Sequence, residues 1–113
     1  VSSQLGLDAL PGFEDDMSAL PTQELRIMAV GLLVEVAKGT LTGQGLDDRV
    51  STGDLSDCFK LYFDTDTKQK PRFRLVYRIK DGKVKAVQAV SVGERKGLAA
   101  YVAAVKRLGR TSK

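Results

Sequence analysis

The chain has 113 residues, 42% hydrophobic and 28% charged, with eighteen Lys and Arg against fourteen Asp and Glu. That length suits one modest core, so a single domain over residues 1–113 is expected. With no histidine and one cysteine, Cys58, these residues exclude an internal disulfide, a zinc site and a Cys/His nucleophile pair, and imply neither metal nor cofactor.

The N-terminal "VSSQLGLDALPGF" has no basic stretch ahead of a long apolar run, so no signal peptide is expected. No apolar run nears the roughly 18 residues of a membrane span, and the lone cysteine fits a reducing cytoplasm. Residues 3–10, "SQLGLDAL", suit a short strand. Phe13, Met17 and Leu20 follow at i, i+4, i+7, the spacing of a short amphipathic helix ended by Pro21. "TQELRIMAVGLLVEVAKG" predicts a longer helix capped by Thr22, with Glu24 in its first turn and Lys38–Gly39 at its end. Leu25, Met28, Ala29, Leu32 and Val36 share one of its faces. The two helices read as a helical hairpin.

Residues 39–57 are rich in Gly, Thr and Asp and read as a connecting loop. Their "GTLTGQG" lacks the Gly-Lys-Ser/Thr ending of a phosphate-binding loop and follows no strand, so it reads as turn chemistry. From Cys58 the period changes to two. "CFKLYFD" sets Phe59, Leu61 and Phe63 against Cys58, Lys60 and Tyr62. "RFRLVYRIK" sets Phe73, Leu75, Tyr77 and Ile79 against Arg72, Arg74, Val76, Arg78 and Lys80. Asp81–Gly82 marks a hairpin and "KVKAVQAVSV" a third strand. Leu98, Tyr101, Val102, Val105 and Leu108 then recur at helical spacing. The order (β)ααβββα predicts an α+β domain with helices on one face of a mostly antiparallel sheet.

Charge follows the same division. Residues 1–57 hold three cations and ten anions, net −7; residues 58–113 hold fifteen cations and four anions, net +11. Such a split marks either a surface for a polyanion or a solvated face neutralised by the other half of the fold. If the Phe59 and Leu75 sides face the helices, Lys60, Tyr62, Arg72, Arg74 and Arg78 share the other face. There Tyr62 is an aromatic able to stack on a base. Cations on a bare sheet also deter edge aggregation, but three arginines along one strand favour a polyanion site.

"DCFKLYF", "FRLVYRIKDGKV" and "AVSVGERKGLAAYVAAVKRLG" together resemble the C-terminal half of the RelE/ParE toxin superfamily, in particular its RelE branch. The likeness is nearly continuous from Cys58 to Leu108, and the N-terminal half matches in its order of elements. It implies a RelE-like fold with an open basic face. It also implies a toxin that cleaves mRNA in the ribosomal A site against rRNA, with a cognate antitoxin as partner and no membrane. By the same resemblance, Arg74 stabilises the scissile phosphate, Arg95 serves the leaving group, Tyr101 orients the nucleotide by stacking, and Lys60 faces the phosphate. Tyr62, Lys68, Lys70, Arg72, Arg78 and Lys106 are the expected RNA-contacting residues. Tyr62 stands where the RelE branch has the lysine proposed as general base, which leaves Tyr62, Lys68, Lys70 and Glu94 as candidates or no base at all. Two other readings share the fold: a ParE-type gyrase-binding toxin and a catalytically degenerate member.

Overall fold

The computed structural model describes residues 6–46, 48–49, 53–54, 58–80, 86–94 and 99–108. In chain order the elements are β1 (Gly6–Ala9), α1 (Phe13–Ala19), α2 (Gln23–Lys38), β2 (Gln44–Gly45), β3 (Asp48–Arg49), β4 (Gly53–Asp54), β5 (Cys58–Phe63), β6 (Phe73–Lys80), β7 (Ala86–Glu94) and α3 (Ala99–Arg107). The α+β class and the element order are those expected. The region read as a plain loop also contains three two-residue strands. One of them, β2, joins the main sheet, and β3 pairs with β4.

The main sheet runs β1-β7-β6-β5-β2. Its central pairs are antiparallel, and β1 lies parallel to β7 at one edge. The helical hairpin forms where the caps predicted it. The Thr22 hydroxyl accepts from Leu25 N–H at 3.2 Å, and Gly39, at φ 82°, closes α2 with its N–H on the Glu35 and Val36 carbonyls. The Arg26 guanidinium donates to the Met17, Ser18 and Leu20 carbonyls, filling the acceptors left open at the end of α1.

One apolar layer joins α1 and α2 to the sheet. Phe13, Leu20, Leu25, Ala29, Leu33 and Val36 pack against Phe63, Phe73, Leu75, Tyr77, Val87 and Val92, with Phe59, Leu61 and Ile79 partly buried beside them. The period-two reading of β5 and β6 therefore holds. Each large side chain in such a layer stabilises the fold by about 1.5–3 kcal/mol.

The opposite face departs from expectation. It is not left open beside a one-sided helical layer, because α3 packs on it. Ala100, Tyr101, Ala104 and Val105 meet Cys58, Val76 and Val90 there, with Leu46 in the same cluster. The small residues Ala100 and Ala104, absent from the predicted stripe, allow the close approach. Val102, placed on that stripe, is 56% exposed. Leu98 lies outside the described residues. A β-bulge reconciles β7 with both layers. Val76 pairs with Ser91 and Tyr77 with Ala89, so Val90 is the extra residue. Val87 and Ala89 before it and Val92 after it all reach the α1/α2 layer, a parity that uninterrupted alternation forbids. Among the described residues, no helix is long and apolar enough to cross a membrane.

Candidate functional site

The side chains of β5 and β6 that turn away from α1 and α2 meet the first turns of α3. Tyr62 and Arg74 are direct cross-strand partners in the β5–β6 register. Lys60 precedes Tyr62 by one pleat, and its ammonium lies 5.0 Å from the centre of the Tyr62 ring. The Arg74 guanidinium carbon lies 5.5 Å from the Tyr62 ring centre and 4.0 Å from that of Tyr101 on α3. Two cations and two phenols thus form one continuous cluster. The start of α3 is held there by the Ser91 hydroxyl, which donates to the Ala100 carbonyl at 2.7 Å.

The two phenols sit in opposite electrostatic settings. Tyr62 is half-buried, and hydrogen bonding from Lys60 leads the causes that lower its pKa to about 8; Arg74 adds to the effect and burial opposes it. Tyr101 is 3% exposed, and burial raises its pKa, offset in part by the charges of Arg74 and Lys60. Its hydroxyl is buried and makes no hydrogen bond among the described residues. The Tyr62 phenol stands near enough to disfavour a Tyr101 phenolate, without hydrogen-bond geometry.

The three arginines expected along one face have three environments. Arg74 is buried, at 6% exposure, beneath Tyr101 rather than lying on an open surface. Arg78 is half-buried and donates through Nε to Gln88 Oε1 at 2.7 Å. Arg72 lies just ahead of β6 and grips Asp64 with two bonds, Nε to Oδ2 at 2.8 Å and Nη2 to Oδ1 at 3.0 Å. Asp64 also accepts from the Asp66 and Arg72 amides, and Asp66 accepts from the Lys68 amide and the Gln69 side chain. These two aspartates shape the β5–β6 connection and leave Lys68 and Lys70 exposed on it. Lys106 is exposed on α3, and Glu94 is exposed at the end of β7. Arg95 lies outside the described residues.

Sequence periodicity placed Lys60, Tyr62 and Arg74 on one face. It missed Gln88, Ser91 and Asp64, which hold the surroundings of the cluster. The signal for Gln88 and Ser91 is their polarity inside the otherwise apolar run "AVQAVSV". Among the described residues, no group of three or more His, Cys, Asp or Glu is placed to hold a metal ion. Chemically, the cluster offers cationic donors for an anion and a phenol that ionises readily.

No protein-family model matches the chain, and no curated protein matches it by sequence. Solved structures do. An arginine double mutant of the Escherichia coli toxin RelE in the free state aligns with a TM-score of 0.67 and 27% identity, over 93% of this chain and 98% of that one. A crystal structure of the isolated E. coli RelE toxin aligns with a TM-score of 0.60 and 27% identity, over 92% and 98%. The protein has the fold of the RelE toxin, as the motifs from Cys58 to Leu108 implied.

Proposed function

We propose that this RelE-like toxin is a ribosome-dependent mRNA endonuclease of a type II toxin–antitoxin pair. The observation that carries the reading is the Lys60–Tyr62–Arg74–Tyr101 cluster, built on the second face of this fold.

RNA brings its own nucleophile, the 2′-hydroxyl. Cleavage then needs an in-line geometry, a receiver for the hydroxyl proton and charge to offset the extra negative charge at phosphorus. Arg74 is suited to the last task, since its guanidinium, packed 4.0 Å from the Tyr101 ring centre, carries a permanent positive charge and a planar N–H fork. Lys60 adds a second positive charge. Arg95, by the family resemblance, serves the leaving oxygen. Lys68, Lys70 and Lys106 are exposed, which supports a role for them in contacting the phosphates of message or rRNA. The ribosome supplies what the small site lacks, a message already bent into line. The partner that restrains the toxin is a cognate antitoxin whose acidic or amphipathic segment covers the basic half, an arrangement that charge complementarity would speed. The setting is the cytoplasm, where the ribosomes are.

Induced alone, the protein is expected to arrest growth with new 5′ ends in translated messages, and co-expression of its cognate antitoxin should relieve the arrest. Purified protein should cut a message positioned on ribosomes and leave the same RNA largely intact without them. Wild-type protein that leaves ribosome-bound message whole contradicts the reading.

A further inference from the structure

We infer that Tyr62 is the general base of the cleavage, its phenolate oxygen taking the proton of the attacking 2′-hydroxyl. This rests on the nuclease reading of the same cluster.

The argument begins from place. Directly opposed residues on antiparallel strands hold their Cβ atoms about 4.5–5.5 Å apart. The Arg74 guanidinium carbon also lies 5.5 Å from the ring centre of its cross-strand partner Tyr62, so a phosphate that engages Arg74 would stand near that phenol. Unlike Tyr101, Tyr62 is not sealed under α3, so a substrate hydroxyl can reach it. The described groups that face it are Lys60 from its own strand, Arg74 from β6 and Tyr101 from α3. The first two are cations that stabilise a phenolate, and the third is a phenol kept protonated by burial. Environments that push two like groups apart assign the one that ionises first to the base role. The Lys60 ammonium is directed at the Tyr62 phenol and so supports the base. Lys68 and Lys70 sit on the exposed connection outside the cluster.

The step balances without a further reactant. The Tyr62 phenolate accepts the 2′-hydroxyl proton as the 2′-oxygen bonds to phosphorus. The bond from phosphorus to the 5′-oxygen breaks, and that oxygen takes a proton from water. The hydroxide so formed removes the proton from Tyr62 and restores the phenolate. The products are a 2′,3′-cyclic phosphate and a 5′-hydroxyl.

The test measures cleavage of an end-labelled message on ribosomes between pH 6 and 9, for wild type and Tyr62→Phe. The wild-type rate should rise through a step centred near pH 8. Tyr62→Phe, which keeps the ring, should lose that step and about a hundredfold in rate at pH 8. An ultraviolet titration of the free protein supplies the second reading: one phenol ionising near pH 8, missing from Tyr62→Phe. Equal rates and the same pH step in both proteins overturn the assignment while leaving the nuclease reading intact. So does a titration with no phenol near pH 8. Wild type that cuts nothing on ribosomes removes the nuclease reading, and the base assignment with it.

Discussion

Arg107 in the last turn of α3 and Asp16 in α1 form an ion pair that ties the helices on the two faces of the sheet to each other. Arg107 Nη2 donates to Asp16 Oδ1 at 2.9 Å, and Nη1 bonds the other carboxylate oxygen. The pair is also tied to β7, since Nη1 donates to the Val90 carbonyl and Asp16 accepts from Val92 N–H. Gly12 makes room for it: a Cβ there would stand 2.9 Å from Arg107 Nε, at a φ of 97° that favours glycine. The side chains are only 20% and 19% exposed, so removing one partner strands a largely buried charge.

Arg107→Met is therefore expected to cost about 2–4 kcal/mol, toward the low end of a broken buried pair because some solvent reaches it. Asp16→Ala should cost a similar amount. In a double-mutant cycle read by urea denaturation, the two losses should overlap by more than about 1 kcal/mol. Simply additive losses would mean that the bond does not couple the helices.

Tyr101 has two jobs that separate cleanly on substitution. Its ring fills the α3 layer and covers Arg74, whereas its hydroxyl is buried without a hydrogen bond among the described residues. Tyr101→Phe keeps the ring and removes a polar group that costs about 1–3 kcal/mol to bury unpaired, so its melting temperature should hold or rise. Tyr101→Ala should lose about 3–5 kcal/mol. Cleavage on ribosomes should follow the same order, because the ring packs against the Arg74 guanidinium. A Tyr101→Phe protein that is stable yet inactive would show instead that the hydroxyl acts on the substrate.

Asp64 makes the β5–β6 connection sensitive to acid. The Arg72 guanidinium, bonded to both carboxylate oxygens, holds its pKa well below the usual carboxylate range. A carboxylate held lower in the folded chain than in the unfolded one stabilises the fold fully above its unfolded pKa, about 4. That contribution falls away as pH drops toward the folded value. The denaturation midpoint of the wild type should therefore fall below about pH 4, and Asp64→Asn should lower the midpoint at pH 7 and flatten that acid limb. An unchanged limb in Asp64→Asn would place the acid sensitivity in another carboxylate.

How far the site could be read in advance depended on strand regularity. In β5 and β6, strict alternation set Phe59, Leu61, Phe63 and Leu75 against Lys60, Tyr62 and Arg74, and the sheet keeps that division. In β7 the alternation breaks at Val90, a bulge that a run of Val, Ala, Gln and Ser does not announce. The side taken by α3 was likewise hidden. Its contact surface is made by Ala100 and Ala104, residues too small to register as an apolar stripe, while the conspicuous Val102 faces solvent. That is why Arg74 was expected on an open surface and lies under a tyrosine. The Arg72 ion pair was hidden for a different reason: its partner Asp64 stands eight residues earlier, across the β5–β6 connection.

The burial of Arg74 sharpens what its replacement should do. Arg74→Lys keeps a positive charge at the same strand position but gives up the planar fork and the close cation–π contact with Tyr101. If charge alone served the phosphate, the lysine protein would retain most of its rate on ribosomes. If the fixed plane of donors matters, the loss should be on the order of a hundredfold, comparable to deleting one preorganised donor to a developing negative charge. The second outcome is expected, because the Tyr101 ring at 4.0 Å fixes the guanidinium in a way it cannot fix a rotating ammonium. Stability decides whether the comparison is fair. Arg74→Lys should unfold close to wild type, since a lysine stem covers much of the same apolar surface. A hundredfold loss with that stability intact assigns Arg74 to the reaction. A rate loss that only tracks unfolding assigns it to packing beneath α3.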